Sequence, residues 1–409
     1  MGRRLRANDD PFIIPYMTHP TPTTHPRHTA AAICLAAMIS LAIAMGVGRF
    51  AFTPLFPLMV RDGLLDHGAG AWLAAANYLG YLVGALAAAR IRLRAATLMA
   101  GGLLATVAIT MAVGWTASLP LWMLLRFLAG VASAWTLVAT SAWGLGWLAA
   151  LGRGDLAGIL FSGVGLGIAG AGLYCLLPAG PAPSSPGIWV GLGTVAAFAA
   201  VLPLALSRRL PVPPAIPAAQ QQAKAPGATA GLIACYTLFG FGYILPATYL
   251  PALARQLVDD PQVFGLAWPL FGAAGAISTV LVSWRLGRVN RLALWAAASF
   301  AMSIGVMLPI FWTTLGGVVL AALLVGGTFM VMTMVAMQEA RARAEARATQ
   351  VLGRMTAGFA AGQLLGPLAN AAIAAHAPSE AAALHLALGA SAAGLLASSI
   401  YLWREYRRS

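Results

Sequence analysis

The sequence predicts an all-α integral membrane protein, with twelve transmembrane helices in two pseudo-symmetric six-helix bundles. Three observations lead there: an apolar composition with few charges, a succession of apolar runs long enough to cross a bilayer, and a motif pattern that occurs twice. Of the 409 residues, 60% are hydrophobic and 9% charged, whereas a soluble globular domain carries about 25% charged residues. Lipid as solvent explains that deficit better than a large soluble core. The formal net charge of +14 raises nucleic acid as a partner. However, the basic residues stand in short clusters between apolar runs, and the aromatic residues form no base-stacking platform, so no nucleic-acid partner is expected.

A spanning helix needs about 20 mostly apolar residues. Twelve segments qualify: 30–60, 70–89, 95–116, 120–149, 156–177, 188–206, 230–254, 263–284, 292–312, 315–337, 351–375 and 381–403. The connections alternate in charge. Lys and Arg collect in the N-terminal tail, after spans 2, 4, 6 and 8, around the start of span 11 and at the C-terminal end. The other connections hold only Arg61 and Arg255. The positive-inside rule then puts both termini in the cytoplasm.

Residues 1–28 are rich in Pro, Thr, His and Arg and are expected as a disordered cytoplasmic tail. They contain no signal-peptide apolar region, and Met17 is an alternative start. Residues 207–229 are rich in Pro, Ala and Gln and are expected as a flexible cytoplasmic linker. It separates a six-helix bundle over 29–206 from a second over 230–403, with a short basic tail at 404–409. Cys34, Cys175 and Cys235 lie in separate apolar runs without metal-ligand spacing. They are expected as packing residues.

The two halves repeat. "GVGRFAFTPLFP" from Gly46 matches "GFGYILPATYLP" from Gly240, with Pro57 and Pro251 at the same distance. Trp115 and Gly130 match Trp312 and Gly327. Gly158, Gly163 and Gly167 match Gly353, Gly358 and Gly362. Two such halves, each entering from the same side, form a parallel repeat about an axis along the membrane normal. That is a transporter architecture with its site at the repeat interface near the midplane.

The whole chain resembles the major facilitator superfamily, and "GVGRFAFTPLFPLM", "WLAAANYLGYLVGAL" and "RFLAGVASAW" are similar to its YbfB/YjiJ-like branch. The superfamily signature between spans 2 and 3 is Gly-x-Leu-Ala-Asp-Arg-x-Gly-Arg. "GALAAARIR" from Gly84 keeps the Gly and Leu, but Ala88 replaces the Asp and Ile91 the second Gly. In the related "WRLGRVNR", Trp284 stands where an acid would be. The usual carboxylate latch is therefore not expected. Arg126 and Gly130 keep the span 4 signature Arg-x-x-x-Gly. A GxxxGP element, typical of span 5 in superfamily antiporters, occurs instead in span 11 as Gly362, Gly366 and Pro367. The resemblance implies a bacterial inner-membrane protein whose spans 1, 4, 7 and 10 line a central cavity.

Arg49 is the sharpest candidate. It lies about 16 Å from the outer end of its span at 1.5 Å rise per residue, too far to reach water. An embedded arginine costs roughly 2.5–3.5 kcal/mol to insert and is by default functional. Its structural alternative is to bond the carbonyls of Phe50 and Thr53, freed by Pro54 and Pro57. Arg126 is the second candidate, with packing or capping as its alternative. By the resemblance both face the cavity, and no embedded acid is available to neutralise them. The substrate is then expected to supply the negative charge, for which Arg is well suited. Asn77, Tyr78 and Tyr81 in span 2, Tyr236, Tyr243 and Tyr249 in span 7, and Gln363 and Asn370 in span 11 can complete the site. Each taken alone is a common form of interhelical glue. Gly84, Gly130, Gly163, Gly167, Gly362, Gly366 and Pro367 are expected as packing or gating positions.

The expectation is a secondary active transporter of a small organic anion, with protons as a candidate co-substrate. The alternative is an efflux transporter for drugs or neutral and cationic metabolites. No catalytic residue set, cofactor or metal is expected, and the chain is expected to be a monomer in the lipid bilayer.

Overall fold

A backbone in lipid must satisfy its own N–H and C=O groups, so the apolar runs become helices. The computed structural model describes residues 26–176, 184–210, 212–213, 229–257, 265–344 and 347–408. The first span, α1, has three pieces: an α-helix Pro26–Leu41, a π-helix Ala42–Phe50 and an α-helix Phe52–Arg61. The others are α2 His67–Ala88, α3 Ala95–Gly114, α4 Leu119–Ala150, α5 Ala157–Leu176, α6 Ser185–Arg209, α7 Ala230–Leu257, α8 Ala267–Arg285, α9 Arg291–Phe311, α10 Leu315–Ala344, α11 Ala348–Ala374 and α12 Glu380–Arg408.

Among the described residues, eleven helices are long and apolar enough to cross a membrane. The one outside that set is α11. Its 27 residues suffice in length, but Arg354, Thr356, Gln363 and Asn370 dilute its apolar character. It packs on α7, α2, α12, α10 and α4, so other helices rather than lipid surround much of it. Elsewhere the bundle turns large apolar side chains outward, including Leu79, Phe198, Phe300 and Phe311.

Boundaries shift where local chemistry favours it. α10 continues past the expected span to Ala344, through a run of good helix formers in which Arg343 donates to Glu339 one turn back at 2.8 Å. α12 runs on to Arg408, so the basic end is helical. The expected N-terminal tail and most of the 207–229 linker lie outside the described residues. Where the linker begins, Trp143 and Trp147 both donate their indole N–H to the Leu210 carbonyl, at 2.7 and 3.3 Å.

The halves share one neighbour pattern. In the first, α1 packs on α5, α2 on α4, and α3 on α4 and α6. In the second, α7 packs on α11, α8 on α10, and α9 on α10 and α12. Between halves the seams are α5 with α8 and α2 with α11. At the end of the bundle rich in basic residues, both seams use the matched glycines. Gly158 lies against Ser283 and Thr279, and Gly353 against the Ala89 backbone. There the Ser283 hydroxyl donates to the Asp155 carbonyl at 2.6 Å and accepts from the Gly158 N–H at 3.1 Å. Gln338 adds a longer bond to the Gly154 carbonyl, 3.4 Å. Because an α-helix leaves its first N–H groups unpaired, Ser283 caps α5 from the opposite half.

Candidate functional site

The site begins with the backbone of α1. Gly46 approaches the Gly167 backbone of α5 and Gly48 the Thr106 side chain of α3. The stretch around them winds as a π-helix. A π turn pairs each N–H with the carbonyl five residues back and an α turn with the one four back, so the changeover leaves a carbonyl over. Pro54 then contributes no N–H. The carbonyls of Gly48 and Arg49, at that changeover, accept instead from Arg126 of α4, from Nη1 and Nη2 at 3.2 Å each.

Arg126 is buried at 4% exposure and sits 4.7 Å from the Phe52 ring centre. Asn77 Nδ2 donates to its main-chain carbonyl at 3.0 Å. One turn on, Gly130 lies against the Asn77 and Gly80 backbone, which lets α2 and α4 touch. Arg126 and Asn77, expected in the substrate site, are therefore mainly engaged in holding α1, α2 and α4 together. The two carbonyls that Arg126 holds lie where α1 passes from π to α winding. Sequence reasoning placed such carbonyls at Phe50 and Thr53 and assigned them to Arg49.

Arg49 is 3% exposed and faces the second half. Its Nη2 donates to Gln363 Oε1 of α11. Its Cζ lies 3.7 Å from the Tyr81 ring centre, and 5.5 and 5.6 Å from those of Phe50 and Tyr78. Its Nε and Nη1 are buried without hydrogen-bond partners, as are Gln363 Nε2 and the Tyr243 hydroxyl. Among the described residues no carboxylate pairs with Arg49 or Arg126. Cation–π contacts are worth about 2 kcal/mol when desolvated. An uncompensated buried charge costs about 3–5 kcal/mol, so the rings only partly offset the burial of Arg49.

The rings continue into the second half. Phe50 lies 6.2 Å from Trp268 of α8 and 6.3 Å from Phe329 of α10. Phe329 stacks on Tyr243 of α7 at 4.5 Å and 11°. Tyr236 and Phe239 join through Phe359 at 5.3 and 4.9 Å. Phe50, Trp268, Phe329 and Phe359 were missed by sequence reasoning. They come from four helices, and only the adjacency of Phe50 to Arg49 hinted at their convergence.

Tyr81 and Gln363 lie against Arg49, and Tyr243 lies in the neighbouring ring cluster, stacked on Phe329. The Tyr249 side chain lies outside the described residues. Among the expected packing positions, Gly84 faces the Val131 backbone, Gly163 meets Met38, Gly167 meets Ala42, Gly362 meets Thr237 and Phe241, and Gly366 meets Ile244. Pro367 sits within α11 and removes the N–H that would reach the Gln363 carbonyl. The match of Gly130 with Gly327 does not extend to packing: a β-carbon on Gly327 would meet nothing within 4 Å.

Two further features flank the centre. A cavity of about 420 Å³ opens at the basic end between the halves, lined by Asp155, Ser283, Arg291, Gln338 and Glu339. It touches none of the central residues. Glu339 is buried there between Arg291 at 3.1 Å and Arg343 at 2.8 Å, and Arg343 reaches on to Glu405 at 3.4 Å. At the opposite end Asp62 ties the α1–α2 turn to the start of α6. Burial alone would raise its carboxyl, but hydrogen bonds from the Ser185 N–H, at 2.6 Å, and from Arg61 hold it below its ordinary value. Among the described residues no group of three or more His, Cys, Asp or Glu gathers as a metal site.

Comparison with known proteins gives the following. Residues 41–401 match the family model described as "Uncharacterised MFS-type transporter YbfB". No curated protein sequence matches the chain. Among solved structures, the crystal structure of the human organic anion transporter MFSD10 (TETRAN) is similar at TM-score 0.69 and 15% identity, covering 93% of this chain and 100% of that one. The major facilitator superfamily transporter FucP, in the outward conformation, is similar at TM-score 0.68 and 12% identity, covering 90% of this chain and 98% of that one. At these identities the structural likeness speaks for the fold alone.

Proposed function

The chain belongs to the YbfB-type family of major facilitator transporters, and on that premise we propose that it moves a small organic anion across a bacterial inner membrane by alternating access between its two helix bundles. Both termini lie in the cytoplasm in this reading. The observation that carries it is the buried Arg49 guanidinium. It stands at the contact of the two halves with two nitrogens unpartnered and, among the described residues, no carboxylate paired with it. A negatively charged substrate completes that arrangement, and charge-assisted hydrogen bonds are the strong ones.

The bridge from Arg49 in α1 to Gln363 in α11 gives a way to couple binding to motion. An anion that takes the open guanidinium N–H groups competes with Gln363 and loosens the link between halves. At the basic end, rocking apart breaks the bonds from Ser283 to Asp155 and Gly158. They do the work that a carboxylate latch does in signatures retaining the Asp.

Uptake of organic anions into proteoliposomes tests the proposal. Arg49→Ala abolishes uptake, and Arg49→Lys leaves only a small fraction, because an ammonium lacks the planar fork. Full activity in both variants overturns the anion site. Transport of neutral or cationic compounds with organic anions ignored establishes the efflux alternative instead.

A further inference from the structure

Building on that reading, we infer that the substrate class is a monocarboxylate carrying an aromatic ring. Two embedded guanidinium groups are present, but Arg126 spends both of its terminal nitrogens on the carbonyls of Gly48 and Arg49. Arg126 keeps only its Nε unpartnered, whereas Arg49, which reaches across to Gln363 of the second half, keeps both Nε and Nη1. One free guanidinium matches one carboxylate. The Gln363 amide N–H and the Tyr243 hydroxyl, both buried and unpartnered, are neutral donors that suit the remaining lone pairs of the same group.

The surroundings argue for the ring. Arg49 is overlaid by Tyr81 at 3.7 Å. Beyond Phe50 lie Trp268, Phe329 and Tyr243, buried and packed in a chain of rings with separations of 4.5 to 6.3 Å. Aromatic faces are electron-rich and ring edges electron-poor, so such a cluster accepts another ring edge-on or offset. The same faces repel a second negative charge, which disfavours dicarboxylates and phosphate dianions. The Arg49 charge disfavours aromatic cations. The rings come from both halves, α1 and α2 on one side and α7, α8 and α10 on the other. A ring held among them touches both moving parts.

The test is a thermal-shift and tryptophan-fluorescence titration of the purified full chain in detergent, since a bound ligand raises apparent stability. The probes are phenylacetate, cyclohexylacetate, acetate, phenylmalonate and phenylacetamide. Phenylacetate is expected to bind at least about tenfold more tightly than any of the others. Phe329→Leu is expected to bring phenylacetate and cyclohexylacetate to within about twofold of each other. Equal binding of cyclohexylacetate and phenylacetate by the wild-type chain, or tighter binding of phenylmalonate, overturns the aromatic monocarboxylate while leaving an organic anion in place. Binding of phenylacetate that Arg49→Gln does not weaken overturns the anion site itself. The wild-type series decides the question even if Phe329→Leu fails to fold.

Discussion

At matched positions the first half carries Arg49 on α1 and the second Tyr243 on α7. The first carries Arg126 on α4 and the second Leu323, an exposed apolar residue on α10. The helix neighbours on either side correspond, and so do the crossings of α1 with α5 and of α7 with α11. Architecture is thus repeated while charge is not: the two embedded cations come from one half, and rings come from both. A site assembled this way exists only where the halves meet, and any motion between them remakes it. Within the first half a second division holds. Arg126 serves the backbone of α1, and Arg49 keeps two buried nitrogens unpartnered.

The largest expected effect breaks this correspondence at Arg126. Arg126→Met strands the carbonyls of Gly48 and Arg49, each worth about 1–3 kcal/mol when left unsatisfied in a buried site. Thermal unfolding in detergent should show a loss of about 3 kcal/mol or more, whereas Leu323→Met should be within about 0.5 kcal/mol of wild type. Equal effects would mean that Arg126 does not hold α1.

The glycine pair should respond in opposite directions. Gly130→Ala drives a methyl into the Asn77 backbone and is expected to cost about 1–3 kcal/mol. Gly327→Ala enters open space and is expected to gain about 0.4–1 kcal/mol through the unfolded chain. The ranking of the two unfolding midpoints checks this.

The smallest effect concerns Asp62. Its folded carboxyl lies below the ordinary value, so the stability it adds is present above the unfolded pKa of about 3.9 and is lost as pH falls through the folded value. Asp62→Asn should be less stable than wild type from pH 5 to 8, and the gap should close in acid below about pH 3.9. A gap that persists unchanged in acid would contradict the role of the ionised carboxylate.

Much of the fold is legible in the residues, because a lipid solvent forces apolar length and helical backbone together. α11 is the instructive departure: enclosed by helices, it needs little apolar surface and can carry Gln363. The site is legible in part. Arg49 stands out because charge is rare in a span, and Gly158 and Gly353 stand out because they repeat. The division of labour between the two arginines was not readable. It depends on the π turn in α1, which presents the carbonyls of Gly48 and Arg49 to Arg126, and helical periodicity does not reveal that turn. Ser283 was invisible too, since a lone serine carries no sign of the helix end it caps across the seam.

Whether Arg49 rather than Arg126 holds the substrate's charge is decided by ligand-induced stabilisation of single variants. With phenylacetate as the probe, Arg49→Gln should unfold within about 1 kcal/mol of wild type when empty, yet show no ligand-dependent rise in its midpoint. Arg126→Lys should unfold earlier but keep the ligand-dependent rise. A rise preserved in Arg49→Gln and lost in Arg126→Lys would contradict that role for Arg49.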